Sequence, residues 1–151
     1  AMQESVNWYF QTLDRRAGAA QLERFFRRIG YGNCRLGNDL ENLWYGSGVR
    51  ISAMEQVKLL KGLCSNGFCA DPENIAAVKE AIALNKAGFY GKTGTGRLED
   101  ANIAGWFIGF VESPENTLFI AVYLTSPEGA DGAAAYKIAC RILEKIEIVV
   151  G

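Results

Sequence analysis

The feature that most constrains the fold is a change in the spacing of apolar residues past the middle of the chain. Residues 104–112 (AGWFIGFVE) and 117–125 (TLFIAVYLT) are apolar runs rich in aromatic and β-branched residues, which is typical of strands. Only Ser-Pro-Glu-Asn separates the two runs, so they predict antiparallel strands joined by a hairpin. The stretch 88–96 predicts one more strand before them. The second half of the chain is therefore expected to contain three consecutive antiparallel strands.

Helices are predicted on both sides of this region, because apolar residues recur there at helical spacing. Ser52 and Glu55 form the S-x-x-E pattern of a capping box, and Asp71 followed by Pro72 is typical of another helix start. The predicted helices cover residues 4–16 and 19–29, begin again at Ser52 and Asp71, and end with a helix over about 131–146. Helices, then three strands, then a helix predict an α+β fold.

Composition narrows the classes of function. The 151 residues are 49% hydrophobic, which predicts a single domain over residues 1–151. A net charge of −1 argues against a nucleic-acid partner, and no apolar run reaches the length of a membrane span. Histidine is absent, which excludes His-dependent nucleophiles and most zinc sites. We expect no metal and no cofactor, and Cys64 with Cys69 could be free thiols, which we favour, or a bridge.

The stretch 89–100 (FYGKTGTGRLED) is unusual for a strand, because three glycines fall within six residues. Glycine lets a ligand approach the backbone closely. Lys92 brings a cation to the same place, and Thr93 and Thr95 bring hydroxyl groups. These residues alone fit a ligand site and a glycine-rich turn with a solvated lysine equally well.

Lys92-Thr93-Gly94 resembles the K-T-G motif of the serine β-lactamases and penicillin-binding proteins. Tyr31-Gly32-Asn33 resembles the Y-G-N motif of the class D β-lactamases, and Ser5-Val6-Asn7 resembles their S-x-V or S-x-N motif. The phrase ENLWYGSGVRISAMEQ, which contains Trp44, is similar to class D enzymes and to the sensor domains of β-lactam receptors. GWFIGFVE resembles the strand that follows K-T-G in this family. The resemblance covers essentially the whole chain.

The resemblance implies a partial serine β-lactamase/penicillin-binding-protein-like fold, equivalent to the C-terminal portion of such a domain. Ser5 would help to shuttle a proton, and Lys92 would hold Ser5 and supply positive potential. A backbone N–H near Thr95 would form half of an oxyanion hole. The implied roles are catalytic for Ser5 and Lys92, substrate-binding for Asn7, Thr93, Gly94, Thr95 and Trp44, and loop-shaping for Tyr31 and Asn33. A core position for Trp44 is an equally good interpretation.

The sequence also departs from the family pattern. The family's nucleophile lies in an S-x-x-K motif, and none of the serines here has a lysine three residues later; they are Ser5, Ser47, Ser52, Ser65, Ser113 and Ser126. Asn7 stands where class D enzymes usually have an aliphatic residue. Tyr136 occupies the last-helix position where many of them have an arginine for the substrate carboxylate. We therefore expect the chain alone to be catalytically inert.

Three readings of the function remain open from the sequence. The chain could be part of a class D β-lactamase, part of a penicillin-binding transpeptidase or β-lactam sensor, or a non-enzymatic interaction module. In the first two cases the ligand would be a β-lactam or a peptidoglycan peptide, and the family implies an extracytoplasmic location. The uncharged run LFIAVYL in 117–125 predicts an unprotected strand edge, and hence a homo-oligomer or a missing N-terminal half. Alternatively, residues 146–150 could fold back as a strand and cover that edge.

Overall fold

The computed structural model of the protein describes residues 2–37, 40, 43, 48–98 and 100–147. The chain divides into two compact units, Ala1–Ala70 and Asp71–Gly151. Within the described residues, every helix is too short or too polar to cross a bilayer.

The described helices of the N-terminal unit are α1 (Asn7–Ala17), α2 (Ala19–Ile29) and α3 (Ala53–Cys64). Helix α2 ends where the sequence predicts, because Gly30 adopts the left-handed conformation (φ 66°, ψ 44°) that stops a helix. The capping box at the start of α3 is also confirmed. The N–H of Glu55 donates to the Ser52 hydroxyl, and the Glu55 carboxylate accepts from the N–H of Ser52.

The C-terminal unit contains α4 (Pro72–Ala81), β1 (Phe89–Leu98), β2 (Ala101–Glu112), β3 (Thr117–Thr125) and α5 (Gly132–Lys145). The strands pair antiparallel in the order β1-β2-β3, which confirms the predicted sheet. The hairpin is closed by the N–H of Ser113, which donates to the carbonyl of Asn116 (2.9 Å). The predicted α+β class is thereby confirmed.

Helix α5 packs on one face of this sheet and forms the core of the unit. Small residues at one face of the helix allow it to approach the strands closely, and apolar side chains of all three strands meet them. The fully or nearly buried members of this core are Phe89, Phe107, Ile120, Ala135, Ala139 and Leu143. Each large side chain buried in this way stabilises the folded chain by about 1.5–3 kcal/mol, so the core holds β1 and α5 together as one body.

The opposite face of the sheet carries an aromatic cluster near its hairpin end. The rings of Tyr90 and Phe110 are stacked with centroids 4.8 Å apart, and the Lys79 ammonium lies 5.6 Å from the Phe110 centroid. Lys79 also forms a half-buried ion pair with Glu112. This ion pair and the cation–π contact join α4 to β2.

Candidate ligand-binding site

The outer edge of β1, on the side away from β2, is covered only at its beginning in the described part of the chain. The N–H of Leu84 donates to the carbonyl of Phe89 (2.9 Å), and the N–H of Gly91 donates to the carbonyl of Ile82 (2.8 Å). Residues 82–84 therefore act as a short extra strand beside the start of β1. No other described segment pairs with this edge.

The backbone groups of Thr93 and Thr95 face this same edge. In a strand, the N–H and C=O groups of alternate residues point to the same side, and those of Gly91 point away from β2. The pairs Thr93↔Phe107 and Thr95↔Gly105 are accordingly not the hydrogen-bonded pairs of the β1–β2 ladder. The edge beyond Gly91 thus presents main-chain donors and acceptors that no described segment uses for pairing.

Lys92 lies next to this stretch of edge. Its ammonium donates a hydrogen bond to the carbonyl oxygen of Thr93 (2.7 Å). Partial burial lowers the pKa of Lys92 below the usual 10.5 of a lysine, because desolvation disfavours the charged form. Thr93 and Thr95 are exposed, so this stretch of four residues contains one cation and two exposed residues with hydroxyl groups.

Gly91 and Gly94 differ in whether the structure leaves room for a side chain. A β-carbon on Gly91 would lie 2.5 Å from the ring of Phe107, whereas one on Gly94 would meet Cβ of Trp106 at an ordinary 3.6 Å. Gly91 is therefore required by core packing, which could not be predicted from the K-T-G motif. The backbone beside Gly94 is open on its side-chain face within the described residues.

The N-terminus of α5 meets β1 at this place. The N–H of Gly132 donates to the side-chain oxygen of Thr95 (3.0 Å), and the Asp131 carboxylate caps the helix by accepting from the N–H of Ala134 (2.8 Å). The sequence predicts the start of this helix at about residue 131, but no local signal connects Gly132 with Thr95. This contact was missed by the sequence analysis.

Ser5 and Asn7 belong to the N-terminal unit, whereas Lys92, Thr93 and Thr95 belong to the C-terminal unit. Both Ser5 and Asn7 are exposed. Ser5 has a positive φ of 49°, a conformation that costs a residue with a side chain roughly 1–2 kcal/mol. Asn7 is the first residue of α1.

Asn33 connects two loop segments of the N-terminal unit. Its side-chain amide donates to the carbonyl of Gly48 (2.8 Å), and its side-chain oxygen accepts from the N–H of Arg50 (3.1 Å). The Tyr31 ring packs on Phe26 with centroids 4.7 Å apart, and burial raises the pKa of the Tyr31 hydroxyl. These contacts support a loop-shaping interpretation of both residues.

The remaining residues that the sequence analysis singled out are Trp44, Tyr136 and two cysteines. Trp44 lies outside the described residues. Tyr136 is a packing residue of α5, because its ring lies 5.2 Å from that of Phe107 and 6.2 Å from that of Phe89. Cys64 and Cys69 are not joined in a disulfide.

Comparison with known families adds to this geometry. The model of the penicillin-binding protein transpeptidase domain matches residues 1–88 and 78–144. The chain belongs to the penicillin-binding protein transpeptidase domain family. The resemblance to this family that the sequence analysis stated is thereby confirmed.

Regulatory proteins are among the similar members of the family. The chain is 35% identical over 152 residues to the methicillin resistance protein MecR1 of Staphylococcus aureus, covering 99% of this chain and 26% of that protein. It is 39% identical over 148 residues to the regulatory protein BlaR1 of Bacillus licheniformis, covering 96% of this chain and 24% of that protein. The chain therefore spans about a quarter of the length of these relatives.

Solved structures confirm the fold. The C-terminal domain of the Bacillus licheniformis BlaR penicillin-receptor matches with a TM-score of 0.90 at 39% identity, covering 98% of this chain and 61% of that one. A class D β-lactamase from Bacillus subtilis matches with a TM-score of 0.88 at 28% identity, covering 100% of this chain and 62% of that one. The described chain thus has a partial serine β-lactamase/penicillin-binding-protein fold.

Proposed function

We propose that this chain contributes the K-T-G edge of a penicillin-binding domain of the sensor type, and that it recognises a β-lactam without reacting with it. The observation that carries the proposal is the edge of β1 at Thr93 and Thr95, with which none of the described segments pairs, next to the ammonium of Lys92. An open strand edge binds an extended amide through main-chain hydrogen bonds. A cation with hydroxyl donors binds a carboxylate.

The groups of this edge divide between two parts of the ligand. The ligand's carboxylate is contacted by the side chains of Lys92, Thr93 and Thr95. The ligand's carbonyl oxygen accepts a hydrogen bond from the N–H of Thr95. Gly94 leaves room for the ligand beside the backbone. Substrate binding by Asn7 and Trp44 and loop shaping by Tyr31 and Asn33 are further parts of this proposal. Ser5 would shuttle a proton only together with the family's S-x-x-K nucleophile, which this sequence does not contain.

The sensor assignment is supported by the degree of similarity. Identity is 35–39% with MecR1 and the Bacillus licheniformis BlaR1 and 30% with the probable β-lactamase YbxI of Bacillus subtilis. A class D β-lactamase is the second candidate, because the chain covers 55% of YbxI. Both candidates share the same ligand chemistry. The absence of S-x-x-K from the sequence supports non-covalent recognition by this chain in either case, since covalent catalysis needs an activated nucleophile.

The test is an NMR titration of the ¹⁵N-labelled chain with benzylpenicilloate, the hydrolysed form of benzylpenicillin. We expect shifts centred on the amides of Lys92 to Thr95, with a Kd of about 1 mM or weaker, equivalent to about −4 kcal/mol. Lys92→Gln and Thr93→Val should each weaken binding. Lys137→Gln is the matched control, because it removes an exposed lysine of α5.

A second arm uses a peptidoglycan stem peptide in place of the penicilloate. Tighter binding of the peptide would favour the transpeptidase-like role over the β-lactam sensor. The absence of shifts near Lys92 with both ligands, at concentrations several-fold above the expected Kd, would refute the proposal and favour an interaction module without a substrate.

A further inference from the structure

The first turn of α5 rests directly on the K-T-G segment of β1. Gly132 is the first residue of the helix, and the N–H groups of a first turn have no acceptor within their own helix. The Asp131 carboxylate accepts a hydrogen bond from the N–H of Ala134. The N–H of Gly132 donates instead to the hydroxyl oxygen of Thr95, 37 residues away in the sequence.

This contact depends on the absence of a side chain at position 132. A β-carbon there would lie 2.8 Å from Cβ of Thr93, 2.9 Å from the carbonyl oxygen of Gly94 and 3.0 Å from its nitrogen. The first two distances are shorter than real β-carbon contacts and the third is unusually tight, so a side chain at this position would force either the helix start or β1 to shift. Gly132 is therefore fitted to the backbone of the K-T-G segment.

The hydrogen bond from Gly132 also determines whether the Thr95 hydroxyl acts as a donor or as an acceptor toward a ligand. A hydroxyl group has one proton and two lone pairs, and the N–H of Gly132 occupies one lone pair. The Thr95 oxygen is thereby an acceptor toward the helix, and its proton is directed elsewhere as a donor. Thr95 is exposed, so this donor is accessible to a ligand. The positive end of the helix dipole lies behind it and favours an anion.

We propose that Gly132 is a positioning residue for carboxylate recognition: its N–H holds Thr95 as a hydrogen-bond donor and thereby couples the start of α5 to the bound anion. The inference rests on the proposed function, since it names the device that orients one of the ligand-binding hydroxyls. A bound carboxylate that accepts from Thr95 polarises the hydroxyl and strengthens its bond with Gly132, as happens in chains of hydrogen bonds.

The first measurement needs no ligand. Hydrogen exchange of the Gly132 amide is compared in the parent chain, Thr95→Ser and Thr95→Val. Valine has nearly the shape of threonine without the hydroxyl, and serine retains the hydroxyl. We expect slow exchange in the parent and in T95S, and exchange about tenfold or more faster in T95V. Equal exchange rates in all three proteins would overturn the hydrogen bond and the inference with it.

The second measurement is the benzylpenicilloate titration, followed at the Gly132 amide. We expect this amide to shift with the same half-saturation as that of Thr93, while the amide of Ala134, which Asp131 caps, serves as the reference and stays unchanged. T95S should retain the response. T95V should weaken binding about tenfold or more and abolish the response of Gly132.

The outcomes separate this inference from the proposed function. If the amides of Lys92 and Thr93 shift and that of Gly132 does not, the coupling is overturned and the proposed function is left intact. Equal movement of Gly132 and Ala134 would also overturn it, because a general displacement of the helix would then explain both. If none of these amides shifts, the proposed function is refuted and the coupling with it.

Discussion

A β-carbon on Gly105 would overlap with the carbonyl oxygen of Asp131, the residue that caps α5. Gly105 is buried in β2, directly opposite Thr95 of β1. The start of α5 can therefore sit on the sheet only if this position has no side chain. The same requirement holds at Gly132, so glycines on both partners permit the contact.

Gly105→Ala is accordingly expected to destabilise the chain. The methyl group must displace either α5 or β2, and overpacking of this kind typically costs about 1–3 kcal/mol. Gly94→Ala is the matched control on the neighbouring strand, because its β-carbon would make only an ordinary contact with Trp106. We expect G94A to remain within about 1 kcal/mol of the parent. Urea unfolding followed by circular dichroism checks both values, and equal stability of the two variants would contradict the packing argument.

Binding of a carboxylate should weaken as pH rises through the pKa of Lys92. Burial lowers that pKa below 10.5, so the ammonium loses its proton at a lower pH than an exposed lysine would. A bound anion favours the charged form, and binding in this range is therefore accompanied by proton uptake. The Kd for benzylpenicilloate, measured by NMR from pH 7 to pH 11, should show this loss in the parent. Lys92→Arg should bind with a flat profile, because its guanidinium stays charged; an unchanged pH dependence in K92R would point to another group.

Asp14→Asn should stabilise the folded chain at neutral pH. Oδ2 of Asp14 is buried without a hydrogen-bond partner among the described residues, and burial raises the pKa of this carboxyl above 3.8. The folded state thus favours the protonated form, and stability falls as pH rises from 3.8 through the raised pKa. Asp14 also lies in the last turn of α1, where a negative charge costs about 0.3–1 kcal/mol.

Thermal unfolding at several pH values measures the Asp14 effect. The advantage of D14N should be present at pH 7 and disappear below pH 3.8, where aspartate in the parent is protonated in both states. Asp100→Asn serves as the control at an exposed position, and an equal effect of D100N would show that net charge, rather than burial, is responsible.

The isolated chain is expected to be inert toward β-lactams. None of its serines has a lysine three residues later, so the family's means of activating a serine nucleophile is missing from the sequence. Hydrolysis of a chromogenic cephalosporin should equal the protein-free rate. Mass spectrometry after incubation with penicillin should show the unmodified mass. A stoichiometric adduct on any serine would contradict this expectation.

The chain is expected to associate with itself. In the described sheet β3 is a terminal strand, and α5 with its C-cap residue exposes three apolar side chains at intervals of four residues: Ile138, Ile142 and Ile146. Unpaired edges and contiguous apolar faces are rarely left in water. Sedimentation velocity across a concentration series should show dimers or larger species at tens of micromolar, a range typical of weak association.

Two variants distinguish the surfaces that could carry this association. Ile142→Lys places a charge on the exposed face of α5, whereas Ala121→Pro blocks β3 at a residue whose N–H points away from β2. Loss of association in one variant and not in the other identifies the surface, provided that circular dichroism shows both to be folded. A parent chain that stays monomeric would refute association and favour coverage of the edge by residues 146–150, of which the structure describes only the first two.

The sequence by itself determined most of the secondary structure. The capping box at Ser52 and the start of α4 after Asp71 depend on side chains within three residues of one another. The hairpin between β2 and β3 depends on a turn of four residues. Such signals are local, so they act in the same way before the chain has folded. Strand ends were less certain, since β1 and β2 each extend beyond the predicted range.

The tertiary structure alone decided how the K-T-G segment is supported. Phe107 makes glycine obligatory at position 91, residues 82–84 pair with the start of β1, and Gly132 meets Thr95. Each contact joins residues that are separated by turns or by whole strands, and the contact between Gly132 and Thr95 exists only once α5 has packed on the sheet. Local propensity contains no information on such distances, because burial of the shared core decides which distant backbones meet.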